Sequence, residues 1–96
     1  MTRTIKVEGR IYRGNRLKEL VVSEASAPED TRFSALLERC LIDICRQMDI
    51  ALPLWMDRNT HEFARYRQTV FTAEQFMDEI RFDRFQIRLL EDQKQR

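Results

Sequence analysis

Hydrophobic and polar residues alternate along the start of the chain, which is the pattern of a strand with one buried face. In the stretch IKVEGRIY (residues 5–12), every second residue is hydrophobic or glycine, and charged residues separate them up to a final tyrosine. Residues 14–15 are Gly-Asn, a pair that accepts the positive φ angles of a two-residue turn. The pattern predicts an N-terminal β-hairpin that turns between Arg13 and Arg16.

The register of this hairpin follows from the turn. A two-residue turn places Arg10 opposite Glu19, so that opposite charges face each other across the two strands. It also places Ile11 opposite Lys18, which is a poorer match. A β-bulge near Lys18 and Glu19 would relieve that mismatch by adding one residue to the second strand.

A helical pattern follows the hairpin. The hydrophobic positions between residues 33 and 48 have offsets of 3, 4, 7, 8, 11, 12 and 15, which define one continuous stripe. Before it, Ser26 and Glu29 have the spacing of a capping box, so we predict an amphipathic helix of about 20 residues that begins there. Ile42 lies on the opposite side of this helix, either as an isolated exposed residue or as part of a contact with a partner.

The two cysteines fall within the predicted helix. Cys40 and Cys45 are separated by five residues, which at about 100° per residue turns them roughly 140° apart. This divergence excludes a disulfide within one helix. We therefore predict two buried free thiols.

The second half of the chain carries weaker helical patterns. Asn59 and Glu62 have capping-box spacing, with Asn59 as the N-cap, and predict a short helix from about Thr60 to Gln68. Residues 72–75 (TAEQ) predict one or two further helical turns. The hydrophobic residues that we expect to point inward from this region are Phe76, Met77 and Ile80.

The end of the chain alternates again, from Phe85 through Ile87 to Leu89, and predicts a final strand after a bend at Asp83 and Arg84. The predicted fold is a single α+β domain over residues 1–91. It consists of the N-terminal hairpin, the long amphipathic helix, one or two short helices, and a C-terminal strand that completes a small antiparallel sheet. Residues 92–96 are polar and are predicted to fray.

The composition is that of one small folded domain. The chain has 96 residues, of which 43% are hydrophobic and 34% are charged. No segment approaches the roughly 18 hydrophobic residues of a membrane span, and the N-terminus has no hydrophobic core of a signal peptide. We therefore expect a cytoplasmic protein.

Charge is unevenly distributed along the chain. Residues 1–22 carry six basic and two acidic side chains, and residues 23–57 carry three basic and seven acidic ones. Arginine with an interleaved aromatic residue at a projecting tip can contact phosphates and stack on a base, so nucleic-acid binding is one hypothesis. The alternative hypothesis is that these charges only keep the end of the hairpin solvated and bind nothing. The candidate contacts are Arg10, Tyr12, Arg13, Arg16 and Lys18 of the hairpin, with Arg58 and Arg65 of the second helix.

The sequence THEFAR (residues 60–65) lacks one ligand of a zinc-protease motif, which needs a second histidine four residues after the first. Arg65 occupies that position and cannot bind a metal. We therefore predict a non-enzymatic protein with no metal site and no cofactor. The alternative is a small enzyme that uses His61 with Asp57 or Glu62.

Trp55 is the only tryptophan and is flanked by hydrophobic residues. It either fills the core beside Phe63 or marks a surface that contacts a partner. Without a coherent catalytic set, the leading hypothesis is a protein-interaction domain, with homodimerisation as one form of that interaction.

The segment PLWMDRNTHEFARYRQTVFTAEQFMDEIRFDRFQIRLLE (residues 53–91), taken with the hairpin and the CLIDIC helix, resembles a set of short bacterial proteins with no assigned function. The similar parts are the Pro-apolar-Trp before the second helix, the Phe-Thr before the next turn, and the Phe-Asp before the alternating end. The resemblance implies a bacterial source. It transfers no catalytic residue, ligand or cofactor.

Overall fold

A computed structural model describes the chain from residue 1 to residue 95 and shows an α+β fold with a four-stranded antiparallel sheet and two helices. The strand order is β2-β1-β4-β3. The elements, in chain order, are β1 (Thr2–Arg13), β2 (Arg16–Pro28), α1 (Phe33–Met48), α2 (Asp57–Tyr66), β3 (Gln68–Thr72), one turn of 3₁₀ helix (Ala73–Gln75) and β4 (Arg84–Gln95).

Both helices cover the same face of the sheet. α1 packs on β2 and β1, and α2 packs on β3. The hydrophobic core lies between the sheet and the helices, because alternate residues of each strand point towards the helices. The sheet residues that are most completely buried there are Ile5, Val7, Phe71, Phe85 and Ile87. The opposite face carries the alternate, mostly polar side chains and points away from both helices.

The predicted hairpin turn is confirmed. Arg13 and Arg16 are paired, and Gly14 and Asn15 have φ angles of 58° and 63°. Lys18 has no partner on β1, because the pair Tyr12–Leu17 is followed directly by the pair Ile11–Glu19. This extra residue is a β-bulge, and it lies at the position where the sequence suggested one.

The bulge moves every later pair by one residue. Arg10 therefore lies opposite Leu20, and the predicted pairing of Arg10 with Glu19 is wrong. The Arg10 guanidinium instead forms a salt bridge with Glu8, which lies two residues away on the same face of β1. A single extra residue thus changes which side chains of β2 point away from the helices.

The predicted helix start near Ser26 is also wrong. β2 continues to Pro28, and the Ser26 hydroxyl lies 2.7 Å from the hydroxyl of Thr4 on β1. Pairing with β1 gives this segment main-chain hydrogen bonds that outweigh its local capping preference. α1 is therefore 16 residues long, and its predicted stripe is buried as Leu36, Leu37, Cys40, Leu41, Ile44, Cys45 and Met48.

The second helix is displaced from its predicted position. α2 begins at Asp57, and Asn59 is its third residue rather than its N-cap. Arg67 has a φ of 61° and ends the helix, so the predicted extension to Gln68 is wrong. Residues 68–72 form a strand that the helical spacing concealed, because this strand is stabilised by pairing with the distant β4.

The segment between β3 and β4 folds back over the core. Phe76 is buried and Ile80 is partly buried, as expected, but Met77 is 98% exposed, which corrects its predicted inward position. The Asp83 backbone N–H donates to the Tyr12 carbonyl at 2.8 Å, where the chain bends into β4. Residues 92–95, predicted to fray, continue β4 opposite residues 2–5 of β1.

Candidate protein-binding groove and basic hairpin

A hydrophobic groove separates the two helices. Because α1 and α2 cover different halves of the sheet, a channel of about 540 Å³ remains between them. The Phe33 and Phe63 rings approach to 6.0 Å between centroids at one part of this channel. The side chains that form its hydrophobic wall include Leu37, Leu41, Leu52, Trp55, Phe63 and Ala64.

Trp55 lies in the wall of the groove and is half-buried. The centroid of its ring is 6.2 Å from that of Phe63 and 5.7 Å from that of Phe71. Trp55 therefore packs beside Phe63, which is one of the two positions that the sequence suggested for it. Its indole N–H donates to the Thr60 hydroxyl at 2.8 Å, which satisfies the polar group of the ring. One side of the indole therefore packs on the core and the other borders the groove.

The segment that leads from α1 to α2 exposes three hydrophobic side chains beside the groove, which we call the groove rim. They are Leu52, Leu54 and Met56, and the Leu54 side chain is 62% exposed. Leu52 is part of the groove lining, whereas Leu54 and Met56 follow it in the chain as exposed hydrophobic residues outside that lining.

The groove rim is held in place by a buried glutamine. The Gln75 side-chain amide donates to the Leu54 carbonyl at 3.0 Å, and the Leu54 backbone N–H donates to the Gln75 carbonyl at 2.7 Å. Gln75 is 1% exposed, so both bonds are shielded from water. These bonds fix the main chain of the rim while its side chains remain in solvent.

Gln75 belongs to a polar network that the sequence interpretation missed. The Asn59 side-chain oxygen accepts from the Gln75 amide at 2.8 Å and from the Met56 backbone N–H at 2.9 Å. The Asn59 amide donates to the Thr69 hydroxyl at 2.7 Å, and that hydroxyl donates to the Glu62 carboxylate at 2.6 Å. The capping-box pattern identified Asn59 and Glu62 as polar anchors but assigned them different partners.

The basic hairpin projects from one end of the sheet. Arg13, Arg16 and Lys18 are exposed, and within residues 1–95 none of them forms a salt bridge. Arg10 differs from them, because besides its bond to Glu8 it donates to the Tyr12 hydroxyl at 3.3 Å. The hydrogen bond that Arg10 donates to Tyr12, and then the one that it donates to Glu8, raise the pKa of Arg10 above its ordinary value.

Two further arginines lie near the hairpin. The Arg84 guanidinium is stacked 4.2 Å from the centroid of the Tyr12 ring and was not identified from the sequence. Arg58 donates to Thr72, which is paired with Arg84 on the neighbouring strand. Arg58 therefore lies at the same end of the sheet as the hairpin, although it is bound to Gln75 as well.

Other candidate residues are dispersed. Arg65 lies near the far end of α2 and stacks on the neighbouring Tyr66 ring at 5.6 Å. Ile42 is 38% exposed on the outer side of α1. His61 is exposed on α2, while the neighbouring Glu62 carboxylate is bound to Thr69. His61 and Arg65 are thus one turn apart on α2, whereas Ile42 lies on the other helix.

Both thiols are buried in the core as predicted. Burial raises the pKa of Cys45 to about 12 and also raises the pKa of Cys40. A thiol must ionise to act as a nucleophile or a metal ligand, so neither is prepared for such chemistry. Within residues 1–95, no three histidine, cysteine or acidic side chains are grouped as a metal site would require.

No helix among the described residues is both long and hydrophobic enough to span a membrane. The sequence and the structure were compared with protein-family models, with curated proteins and with solved structures, and no match was found in any of the three.

Proposed function

We propose that this protein is a protein-interaction domain that binds a hydrophobic segment of a partner protein in the groove between α1 and α2. The observation that carries the proposal is the hydrophobic lining of the groove, which includes the exposed Leu52 of the rim and the half-buried Trp55. A groove of about 540 Å³ has the size of pockets that hold small ligands or the anchor side chains of a peptide.

Hydrophobic contact supplies the affinity in this proposal. Burial of one side chain of leucine size contributes about 1.5–3 kcal/mol, so several anchors are needed to exceed the cost of association. Leu52, Leu54 and Met56 are not covered by the chain itself. A partner that covers them removes further hydrophobic surface from water.

Rigidity of the rim favours binding. The two hydrogen bonds between Gln75 and the Leu54 main chain reduce the number of conformations that this part of the rim loses when a partner is bound. The half-buried Trp55 ring provides a fixed aromatic wall of the type that dominates binding energy in protein interfaces.

Site-specific photo-crosslinking in cells tests this proposal. A benzophenone amino acid at position 52, in the groove wall, should yield a discrete crosslinked partner, whereas the same group at the exposed position 42 on the outer side of α1 should not. Ala64→Trp should fill the groove and abolish the crosslink at position 52. The proposal is refuted if both positions give the same products, or if Ala64→Trp leaves the crosslink intact while circular dichroism confirms the fold.

A second candidate function is nucleic-acid binding by the hairpin. It is supported by Arg13 and Arg16, which are exposed at the tip without carboxylate partners among the described residues. Binding through phosphates should weaken steeply as salt is raised. Fluorescence polarisation with short single-stranded DNA and RNA tests this, and the double variant Arg13→Glu, Arg16→Glu should lose binding. Arg32→Glu with Arg39→Glu is the control of equal charge on another surface.

A further inference from the structure

Two charged side chains belong to the lining of the groove, one on each of its walls. Glu38 lies on α1, and Arg67 lies at the end of α2. Both are exposed, and within residues 1–95 neither forms a salt bridge. The other lining residues carry no charge, so the groove offers one negative and one positive group to an occupant.

The backbone conformation of Arg67 is unusual for an arginine. Its φ of 61° is a left-handed conformation that glycine adopts without strain and that arginine rarely adopts. Among the described residues, the other non-glycine positions with positive φ are Asn15 and Asp49, whose short polar side chains tolerate it better. Glycine would end α2 with less strain, so the end of the helix does not explain why position 67 carries a guanidinium.

The main chain at Arg67 is fixed, although its side chain is exposed to solvent. The Arg67 backbone N–H donates to the Phe63 carbonyl at 2.9 Å, and the Arg67 carbonyl accepts from the Leu89 N–H at 2.8 Å. These two bonds hold the Cα atom of Arg67 at the groove. Only rotation of the side chain is therefore needed for the guanidinium to meet a group that is bound there.

We propose that the hydrophobic segment bound in the groove carries an acidic side chain that pairs with Arg67 and a basic side chain that pairs with Glu38. This specificity rests on the proposed function, because it concerns the same groove. A segment that fills the groove removes water from both charges, and a charge that loses water without gaining a partner opposes binding. Complementary charges on the segment offset that cost, whereas like charges add repulsion.

Exchange of the two charges tests this specificity. A phage-displayed library of random peptides, selected on the full chain, should yield hydrophobic peptides that carry an acidic and a basic residue in a preferred order. The double variant Glu38→Arg, Arg67→Glu keeps the net charge but inverts the polarity of the groove, so it should select the reverse order. Selection of the same peptides by both proteins would overturn the proposed charge pairing.

Fluorescence polarisation with a selected peptide measures the contribution of Arg67. Replacement of the acidic residue of the peptide by its amide should weaken binding to the parent chain about two- to fivefold, as expected for a solvent-accessible ion pair. The same replacement should not change binding to Arg67→Gly, which lacks the guanidinium. Glycine suits the φ of 61°, so this variant should be about as stable in urea as the parent. A large loss of stability would show that Arg67 is structural and would overturn its assignment.

Further outcomes separate the charge pairing from the proposed function. Selection of hydrophobic peptides without a charge preference would overturn the charge pairing alone. Ala64→Trp should abolish the selection, and peptides that still bind this variant would contradict both proposals, as would the absence of any selected peptide. A dimer in light scattering that dissociates in the Ala64→Trp variant would assign the groove to a second copy of the chain and would overturn the charge pairing.

Discussion

The contact between Gly9 and α1 provides a sharp test of how the core is packed. Gly9 lies in β1 at a point where Ile44 of α1 sits directly on the strand. A Cβ atom at position 9 would lie 2.5 Å from Ile44 Cγ2 and 3.2 Å from Phe85 Cε1. Non-bonded carbon atoms prefer about 3.5–4.0 Å, so Gly9→Ala creates an overlap of roughly 1 Å with Ile44.

The overlap cannot be relieved cheaply. Ile44 is fully buried, and its Cγ2 branches from the Cβ atom, so it moves only if the rotamer or the helix shifts. Overpacking of this kind costs about 1–3 kcal/mol. Alanine also restricts the unfolded chain, which returns about 0.4–1 kcal/mol. We expect a net loss of about 1–2 kcal/mol in the free energy of unfolding for Gly9→Ala.

Urea denaturation of a double-mutant cycle measures this effect. Ile44→Ala alone should cost about 2–5 kcal/mol, but the double variant should lose less than the sum, because the new methyl group occupies part of the vacated space. Gly14→Ala is the matched control. It meets no atom within 4 Å and is strained only by its φ of 58°, so its cost should not couple to Ile44. Additive losses in the cycle, or a Gly9→Ala protein as stable as the parent, would refute the packing argument.

Three further predictions concern stability and reactivity. Asn59→Leu should lower the free energy of unfolding in urea by more than about 2 kcal/mol, because several buried partners lose their hydrogen bonds; a smaller loss would show that the network is dispensable. The hydrogen bond from Arg3 lowers the pKa of the Asp92 carboxyl, so this pair stabilises the fold above about pH 4 and loses its effect as the pH falls through the lowered pKa. Asp92→Asn should remove that part of the acid dependence, worth under about 1 kcal/mol because the pair is accessible to solvent, and identical pH profiles would contradict it. Because burial raises the pKa of Cys45 to about 12, iodoacetamide at pH 8 should modify Cys45 only after unfolding in urea, and rapid modification of the native protein would contradict its burial.

Local patterns predicted the elements whose stability is local. The Gly14-Asn15 turn and the hydrophobic stripe of α1 depend on residues close in sequence, and both are present. The capping box at Ser26 and Glu29 is equally local, yet β2 pairing replaces it. The start of a helix at Ser26 competes with strand pairing to residues more than twenty positions earlier in the chain. The periodicity of the sequence describes only neighbouring residues, so it does not show which of the two structures is more stable.

β3 shows the same competition more clearly. Residues 68–72 continue the helical spacing of Phe63 and Tyr66, but the chain leaves the helix at Arg67. The new strand places Thr69 and Phe71 against Ile87 and Phe85 of β4. The gain is burial of Phe71, which is fully buried and stacked on Phe85 at 5.6 Å between centroids. This partner was not recognisable before the position of β4 was known.

The candidate site was less predictable than the fold, because a groove is defined by the spacing of two helices rather than by either of them. Trp55 was identified as either a core or a contact residue, and it has one side in each environment. Leu52 and Leu54 carried no signal of their own. The main chain of Leu54 is held by two hydrogen bonds with Gln75, a residue that appeared in the sequence only as part of a short helical turn.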